Sequence, residues 1–269
     1  VWKTTGATVQ ASWRSLAIRI PMNKTLEGII LSIRDYKEHD AIIKALCKEI
    51  GIQSFVARGL RKANSKNLGA AQVFTHAKFF VEFHEQKTIH TMKTAEIMQS
   101  YRTIREDLLK QTIASVLCEC MEKADLDMLN ISAFDFLQCT MNHLAKTSQP
   151  YGLLALFMAN MNRYCGVEPY VEGCVHCHSQ KQIQAVSVID GGFVCAHCMN
   201  PTKDIIMHKQ DLYSFRLLCL ADMENFEAIE TYQNWTFDHV QMMVRFFEEY
   251  SGMYCKSMRF LSCIAKMDA

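Results

Sequence analysis

Between residues 174 and 198 the chain reads CVHCHSQKQIQAVSVIDGGFVCAHC, two Cys-x-x-Cys pairs separated by seventeen residues. A Cys-x-x-Cys turn presents two thiolates from one tight knuckle, with backbone amides turned toward the sulfurs, and two knuckles complete a tetrahedral sulfur site. The spacing falls within the C-x2-C-x15–20-C-x2-C pattern read as a zinc site. Cys174, Cys177, Cys195 and Cys198 are therefore expected to hold one zinc ion. The segment between the knuckles alternates apolar and polar residues up to Asp190-Gly191-Gly192 and resumes with Phe193 and Val194. That pattern predicts a β-hairpin, and with the knuckles it makes a zinc ribbon. Four thiolates leave the metal no open position for water, so the zinc is expected to be structural. His176, His178 and His197 are expected to be exposed residues of the knuckles.

The redox compartment decides whether paired cysteines are ligands or disulfides. Disulfide frameworks belong to short, secreted, core-poor chains. This chain has twelve cysteines, but 49% of its 269 residues are apolar, enough for one or two ordinary cores. Its first residues, VWKTTGATVQASWRSLAIRIP, hold no apolar run of secretory-signal length, and no stretch approaches the ~20 apolar residues of a membrane span. A reducing cytoplasm is the expected setting. The other eight cysteines (Cys47, Cys118, Cys120, Cys139, Cys165, Cys219, Cys255 and Cys263) lie in apolar segments without ligand spacing and are expected to be small buried hydrophobes.

Signatures of catalysis are missing from the sequence. HEQKTIH at 84–90 begins like a His-Glu-x-x-His motif, but its second histidine is six residues on, where no helix brings both rings to one metal. GLRKANSK lacks the glycine pattern of a phosphate-binding loop. An enzyme of zinc-hydrolase or nucleotide-modifying type is a competing reading; a bound zinc with an exchangeable water would favour it, which the fourth cysteine opposes.

Around the ribbon the periodicity divides the chain. Residues 26–97 contain about five short runs rich in Ile, Val, Phe and Thr, which predict a small β-barrel. From Tyr101 the period becomes helical: Tyr101, Ile104, Leu108, Thr112, Val116 and Met121 mark one face of a single helix running to Ala124. A second helix is expected from Ser132, which with Asp135 forms a capping signal, to a point before Pro150, and a third ends at Gly166. Two further helical stretches follow the ribbon, the last interrupted near Gly252. The ribbon is thus an insertion between helices.

Net charge is near zero but unevenly placed. Residues 1–100 carry 15 Lys and Arg against 8 Asp and Glu, whereas residues 101–269 carry 14 against 20. The densest basic stretch, RGLRKANSK, places Arg58, Arg61, Lys62 and Lys66 in a connection between two expected strands. A basic loop on a small barrel with aromatic residues is the footprint of single-stranded nucleic acid binding.

The order of these features resembles the RecO family of recombination mediators. The matching stretches are LEGIILSIRDYKEHDAIIKALCKEIGIQSFVARGLRKANSK near the start, YGLLALFMANMNRYCGVEPYVEGCVHC leading into the ribbon, and GGFVCAHC closing it. The resemblance implies an α+β multidomain chain: an N-terminal OB-fold barrel at 22–99, then an α-helical domain at 100–269 with the zinc ribbon inserted at about 170–202. Residues 1–21 would be an extension or a cloning remnant, outside the resemblance. It further implies a bacterial, nucleoid-associated protein with no catalytic site. Such a protein binds single- and double-stranded DNA, anneals complementary strands, pairs with RecR, engages the C-terminal tail of single-stranded DNA-binding protein, and indirectly serves RecA loading.

On this reading Arg58, Arg61, Lys62, Lys66 and Arg34 contact DNA phosphates. The tail of single-stranded DNA-binding protein, acidic and ending in an aromatic residue, would need a cation beside an apolar pocket. Arg102, Arg105, Lys110, Lys123, Lys146 and Arg163 are the candidate partner-binding residues, because 211–250 hold eight acids and only two arginines. The competing reading from a different class is a zinc-ribbon RNA-binding protein of transcription or translation, which stronger affinity for RNA than for DNA would favour.

Overall fold

The structure is a computed structural model that describes residues 22–126 and 131–267; the expectation about residues 1–21 lies outside the described residues. Five strands come first: β1 (Met22–Tyr36), β2 (Asp40–Cys47), β3 (Gly51–Ala57), β4 (His76–Phe83) and β5 (Ile89–Gln99). They close into a barrel in the order β1-β2-β3-β5-β4, the connectivity of an OB-fold. One long strand makes closure possible. The first half of β1 pairs with β4, from Met22 opposite Phe83 to Ile29 opposite His76, and its second half pairs with β2, from Gly28 opposite Cys47 to Tyr36 opposite Asp40. Where the two ladders overlap sits Gly28; a Cβ there would lie 2.9 Å from the Leu46 carbonyl oxygen and 3.2 Å from both the Cys47 sulfur and the Phe79 ring. Period-two alternation sends Leu26, Ile43, Phe55, Phe79, Val81 and Met92 into the barrel core.

The helical part follows. The single helix expected from Tyr101 to Ala124 is in fact two, α1 (Arg102–Glu106) and α2 (Leu108–Lys123). The break is at Asp107, whose backbone is extended (φ −116, ψ 118) and whose carboxylate accepts the Lys110 amide at 3.0 Å. An aspartate that can cap competes with helix continuation, and here the cap wins. Leu108, expected on the buried face, is consequently turned outward and 58% exposed. Helix α3 (Ala133–Lys146) starts as its capping signal predicts, with the Ser132 hydroxyl accepting the Asp135 amide. Helix α4 (Pro150–Tyr164) has Pro150 at its first turn, and residues 152–162 are all buried. A helix that is buried all round forms the centre of a domain. The two polar residues of that buried stretch are bonded inward: Asn160 donates to the Ala221 carbonyl and Asn162 to that of Met243.

Next comes the ribbon, with β6 (Ile183–Ser187), β7 (Gly192–Cys195) and the short β8 (Ile205–Ile206) in a sheet of order β7-β6-β8. The third strand was not expected from sequence, since two residues carry no period. Helices α5 (Lys209–Leu220), α6 (Phe226–Glu230), α7 (Phe237–Ser251) and α8 (Ser257–Met267) close the described chain, with a left-handed Gly252 (φ 67) ending α7.

Barrel and helices share a core: Ile29, Leu31, Leu46 and Phe74 pack with the buried residues of the helices. Polar ties cross the same joint. His76 of β4, itself in contact with Glu27 of β1 at 3.0 Å, contacts Gln138 of α3 at 3.1 Å, and Lys44 of β2 pairs with Glu122 of α2 at 2.9 Å.

Glu119 on α2 fastens α8. Its carboxylate accepts the Lys256 amide, the Ser257 amide and the Ser257 hydroxyl, each at 2.8 Å, and pairs with Lys123. Burial pushes this carboxyl up, but the hydrogen bonds from Lys123, Ser257 and Lys256 outweigh it and hold it at about 2. Because the folded value lies below the ordinary 4.5, the stabilisation is complete above about pH 4.5 and lost as pH falls toward 2. Thermal unfolding of Glu119→Gln should therefore show a deficit on the order of 2 kcal/mol at pH 7, allowing for partial hydration, that shrinks as wild type and variant converge near pH 2.

Of the eight cysteines expected to be buried, Cys47, Cys118, Cys120, Cys219 and Cys255 are. Cys139 and Cys165 are half-buried, and Cys263 is exposed. Cys263 departs from expectation because α8 buries the stripe of Met258, Leu261 and Ile264 and turns residue 263 to solvent.

Candidate functional site

The ribbon hairpin brings the two knuckles together. Ile183 pairs with Cys195, Ala185 with Val194 and Ser187 with Gly192, so the second knuckle follows directly from β7. The first is folded by the His178 amide donating to the Cys174 carbonyl at 2.8 Å, and it is joined to β7 through the Val175 amide and the Phe193 carbonyl. Sγ atoms of Cys174, Cys177, Cys195 and Cys198 all lie within 4.8 Å of one another, and those of Cys177 and Cys195 are 3.7 Å apart. Tetrahedral thiolates at about 2.3 Å from a central ion sit about 3.8 Å from each other, so the sulfur set is spaced to hold a metal ion. Burial pushes the Cys174 thiol up, yet amides of Cys195, Cys177 and His176 outweigh it and bring it down to about 6, the direction that favours a metal-ligating thiolate. The histidines are outside the set: His176 turns to Asp190 at 3.4 Å, and His178 and His197 are exposed.

The ribbon is docked on the helices. Phe193 packs near Phe215 of α5 (5.7 Å between centroids), Phe215 near Phe246 of α7, and the Tyr250 hydroxyl donates to the Ile189 carbonyl at 2.8 Å. Gly192 bridges to Tyr170, whose backbone fills the space a Cβ would need. Glycine at that position is what allows the approach.

At one end of the barrel the β1–β2 turn meets the β3–β4 connection. Asp40 accepts the Gly59 amide at 2.8 Å, the Arg61 amide donates to the His39 carbonyl at 3.1 Å, and the Arg61 guanidinium pairs with Asp35. Leu60 and Ala71 plug into the barrel core and anchor the connection. Arg58, Arg61, Lys62 and Arg34 are exposed there; Lys66, also exposed, lies further along the connection, where the adjacent Asn67 bonds to the Lys93 carbonyl and the Ala95 amide of β5. The turn adds Lys37, whose amine lies 5.3 Å over the half-exposed Tyr36 ring. Sequence reading passed over Tyr36 and Lys37, although the first inter-strand loop of an OB-fold is one of its ligand-contacting loops. Elsewhere the helices limit what the barrel can offer: Leu46 and Ile52, on β2 and β3, pack against the helical core.

The six cations considered for a peptide partner have separate fates. Arg105 donates to the Val73 carbonyl and ties α1 to the barrel. Arg163 donates to the Ala221 and Cys219 carbonyls and pairs with Asp222, closing the C-terminus of α5. Arg102 pairs with Glu106, and Lys123 with Glu119. Lys146 is exposed at the end of α3. Lys110 lines a cleft of about 970 Å³ with Leu109, Tyr151, Trp235, Phe237 and Lys266, and Asp107 and Asp238 line it as well. Trp235 lies in 211–250, which was set aside as acidic, and Lys266 lies outside the six cations considered.

Comparison with known proteins follows this division. Residues 22–101 match the family described as "Recombination protein O N terminal", and residues 105–259 the one described as "Recombination protein O C terminal". Proteins named DNA repair protein RecO from Bacillus cereus (strain AH187), Bacillus thuringiensis subsp. konkukian (strain 97-27) and Bacillus anthracis are each 28% identical over 247 residues, covering 91% of this chain and 99% of the relative.

Proposed function

The chain belongs to the recombination protein O family, and on that premise we propose that it is a cytoplasmic DNA repair and recombination mediator rather than an enzyme. It binds single- and double-stranded DNA through the cationic end of its barrel, anneals complementary strands, and with RecR helps load RecA onto DNA coated by single-stranded DNA-binding protein. The observation that carries this reading is the exposed Arg58, Arg61, Lys62 and Arg34 where the β1–β2 turn meets the β3–β4 connection of an OB-type barrel, with exposed Lys66 further along the same connection. Contacts of that kind neutralise phosphates without reading bases, as a protein acting on any sequence requires. No helix among the described residues is long and apolar enough to cross a membrane.

Zinc is the metal this reading assigns to Cys174, Cys177, Cys195 and Cys198. A closed set of four thiolates suits a tetrahedral, redox-inert ion that links two segments of chain. The residues around it fold the knuckles and dock the ribbon; none has a reactive role.

For the acidic tail of single-stranded DNA-binding protein, the 970 Å³ cleft is the favoured seat, because it puts Lys110 and Lys266 beside Trp235, Tyr151 and Phe237. A labelled tail peptide should bind the full chain with micromolar affinity, about −8 kcal/mol, and Lys110→Glu with Lys266→Glu should weaken it about tenfold or more. Unchanged peptide affinity in that double variant would move the seat elsewhere.

Annealing of two complementary oligonucleotides, followed by fluorescence with and without single-stranded DNA-binding protein, tests the main proposal. Acceleration in both conditions is expected. Failure to anneal, or tighter binding to RNA of the same sequence than to DNA, would replace it with the RNA-binding reading.

A further inference from the structure

Two other thiols face each other in the helical core, away from the knuckles. Cys120 lies on α2 and Cys255 in the short segment between α7 and α8, 135 positions apart in sequence, with sulfurs 3.3 Å apart. Both are buried and neither is bonded to another cysteine. Their neighbours hold the junction together: Glu119 accepts the Lys256 and Ser257 amides at 2.8 Å, and Lys123, one turn along α2, donates to the Tyr254 carbonyl.

We propose that Cys120 and Cys255 form a site of reversible oxidation, closing to an intramolecular disulfide when the chain meets a peroxide. A disulfide needs sulfurs about 2.05 Å apart, so closure takes a movement of little more than about 1 Å. Cys255 is the attacking thiol. It sits outside any helix between exposed Tyr254 and Lys256 and is the less buried of the two thiols, 8% exposed against 1% for Cys120, so a peroxide reaches it first.

In the first step the Cys255 thiolate attacks one peroxide oxygen; the O–O bond breaks, and the departing hydroxide takes a proton and leaves as water. Cys255 is then a sulfenic acid. The Cys120 sulfur attacks the Cys255 sulfur and displaces hydroxide, which leaves as a second water with the Cys120 proton. Two thiols have lost two electrons, and one peroxide has become two waters. A small thiol of the glutathione class reverses the bond by exchange. Closure ties the start of α8 to α2, and α8 is a wall of the 970 Å³ cleft through Ser262, Ala265 and Lys266.

The test uses the full, reduced, metal-loaded chain, treated with a small excess of hydrogen peroxide, alkylated, digested and mapped by mass spectrometry, with metal content measured in parallel. A cross-linked Cys120–Cys255 peptide two hydrogens lighter than the pair of thiol peptides is expected while the metal remains bound. Tm should rise by about 5 °C and return with dithiothreitol. Cys120→Ala and Cys255→Ala should each abolish both changes, and the peptide map of the unaltered chain decides the matter even where a variant folds poorly. The proposal is overturned if Cys120 and Cys255 both remain alkylatable in denaturant after peroxide, or if oxidation reaches only the knuckle cysteines and releases metal.

Discussion

Cys174→Ser and Cys198→Ser are each expected to lower bound zinc from one per chain to near zero after dialysis, and to destabilise the ribbon on the order of 4 kcal/mol or more. Binding free energy at a structural zinc site is folding free energy, on the order of 10 kcal/mol or more in isolated zinc-finger peptides. In this chain part of it is offset by apolar docking, since Val186 and Phe193 belong to the helical core and only Cys174, Ala185, Val194 and Cys195 form the small cluster around the sulfurs. Loss of metal should therefore open the knuckles to proteolysis first and weaken the α5–α7 packing second. Metal analysis and calorimetry read both effects. Cys263→Ser, at an exposed thiol, should retain the metal and stay within about 0.5 kcal/mol of wild type. Full zinc occupancy in Cys174→Ser or Cys198→Ser would remove the assignment, as would wild-type protein that carries no zinc when prepared without chelator.

The second large effect is on DNA. Arg61→Glu combined with Lys62→Glu should weaken single-strand binding at least about tenfold at low salt. It should also flatten the dependence of log K on log salt by roughly 1.4, about 0.7 for each phosphate that is no longer neutralised. On duplex the corresponding change is roughly 1.8. The ion pair of Arg61 with Asp35 is solvent-exposed and contributes little to folding, so the double variant should keep its Tm. Base composition of the oligonucleotide should matter little. An unchanged affinity and salt slope would place the DNA surface elsewhere on the molecule, and Arg102→Glu on the helical part is the comparison that should leave both unaffected.

How much of this was readable in the residues depends on the range of the interaction that decides each feature. Knuckle spacing, the Asp-Gly-Gly turn, the Ser132 cap and the interruption near Gly252 are local, fixed by a few adjacent residues and their backbone preferences. They could be read directly. The grouping of the four sulfurs was legible for the same reason, because the hairpin between the knuckles has one natural register. Asp107 shows the limit within a local window. A helical period continues through it, and only the competition between continuation and capping, settled by the packing of α1 and α2, exposes Leu108. The basic stretch was visible as composition, but its meeting with Tyr36 and Lys37 depends on the β1–β2 register and on Leu60 plugging the barrel.

What the sequence determined by itself was the kind of molecule: a barrel, a helical part, a four-thiolate ribbon between helices, and a basic front half. Period, spacing and capping are properties of neighbouring residues, and they survive without knowledge of the fold. Which cations remain free to meet a partner was decided only in three dimensions. Arg105 and Arg163 were drawn into carbonyl contacts that close helix and domain junctions, because buried backbone oxygens need donors and a guanidinium supplies several at once. Lys110 and Lys266, 156 residues apart, were brought to one cleft by the packing of α8 on α2. Cys120 and Cys255 were brought face to face by the same packing. No periodicity encodes such pairs, since their separation is set by how whole helices bury their apolar faces against one another.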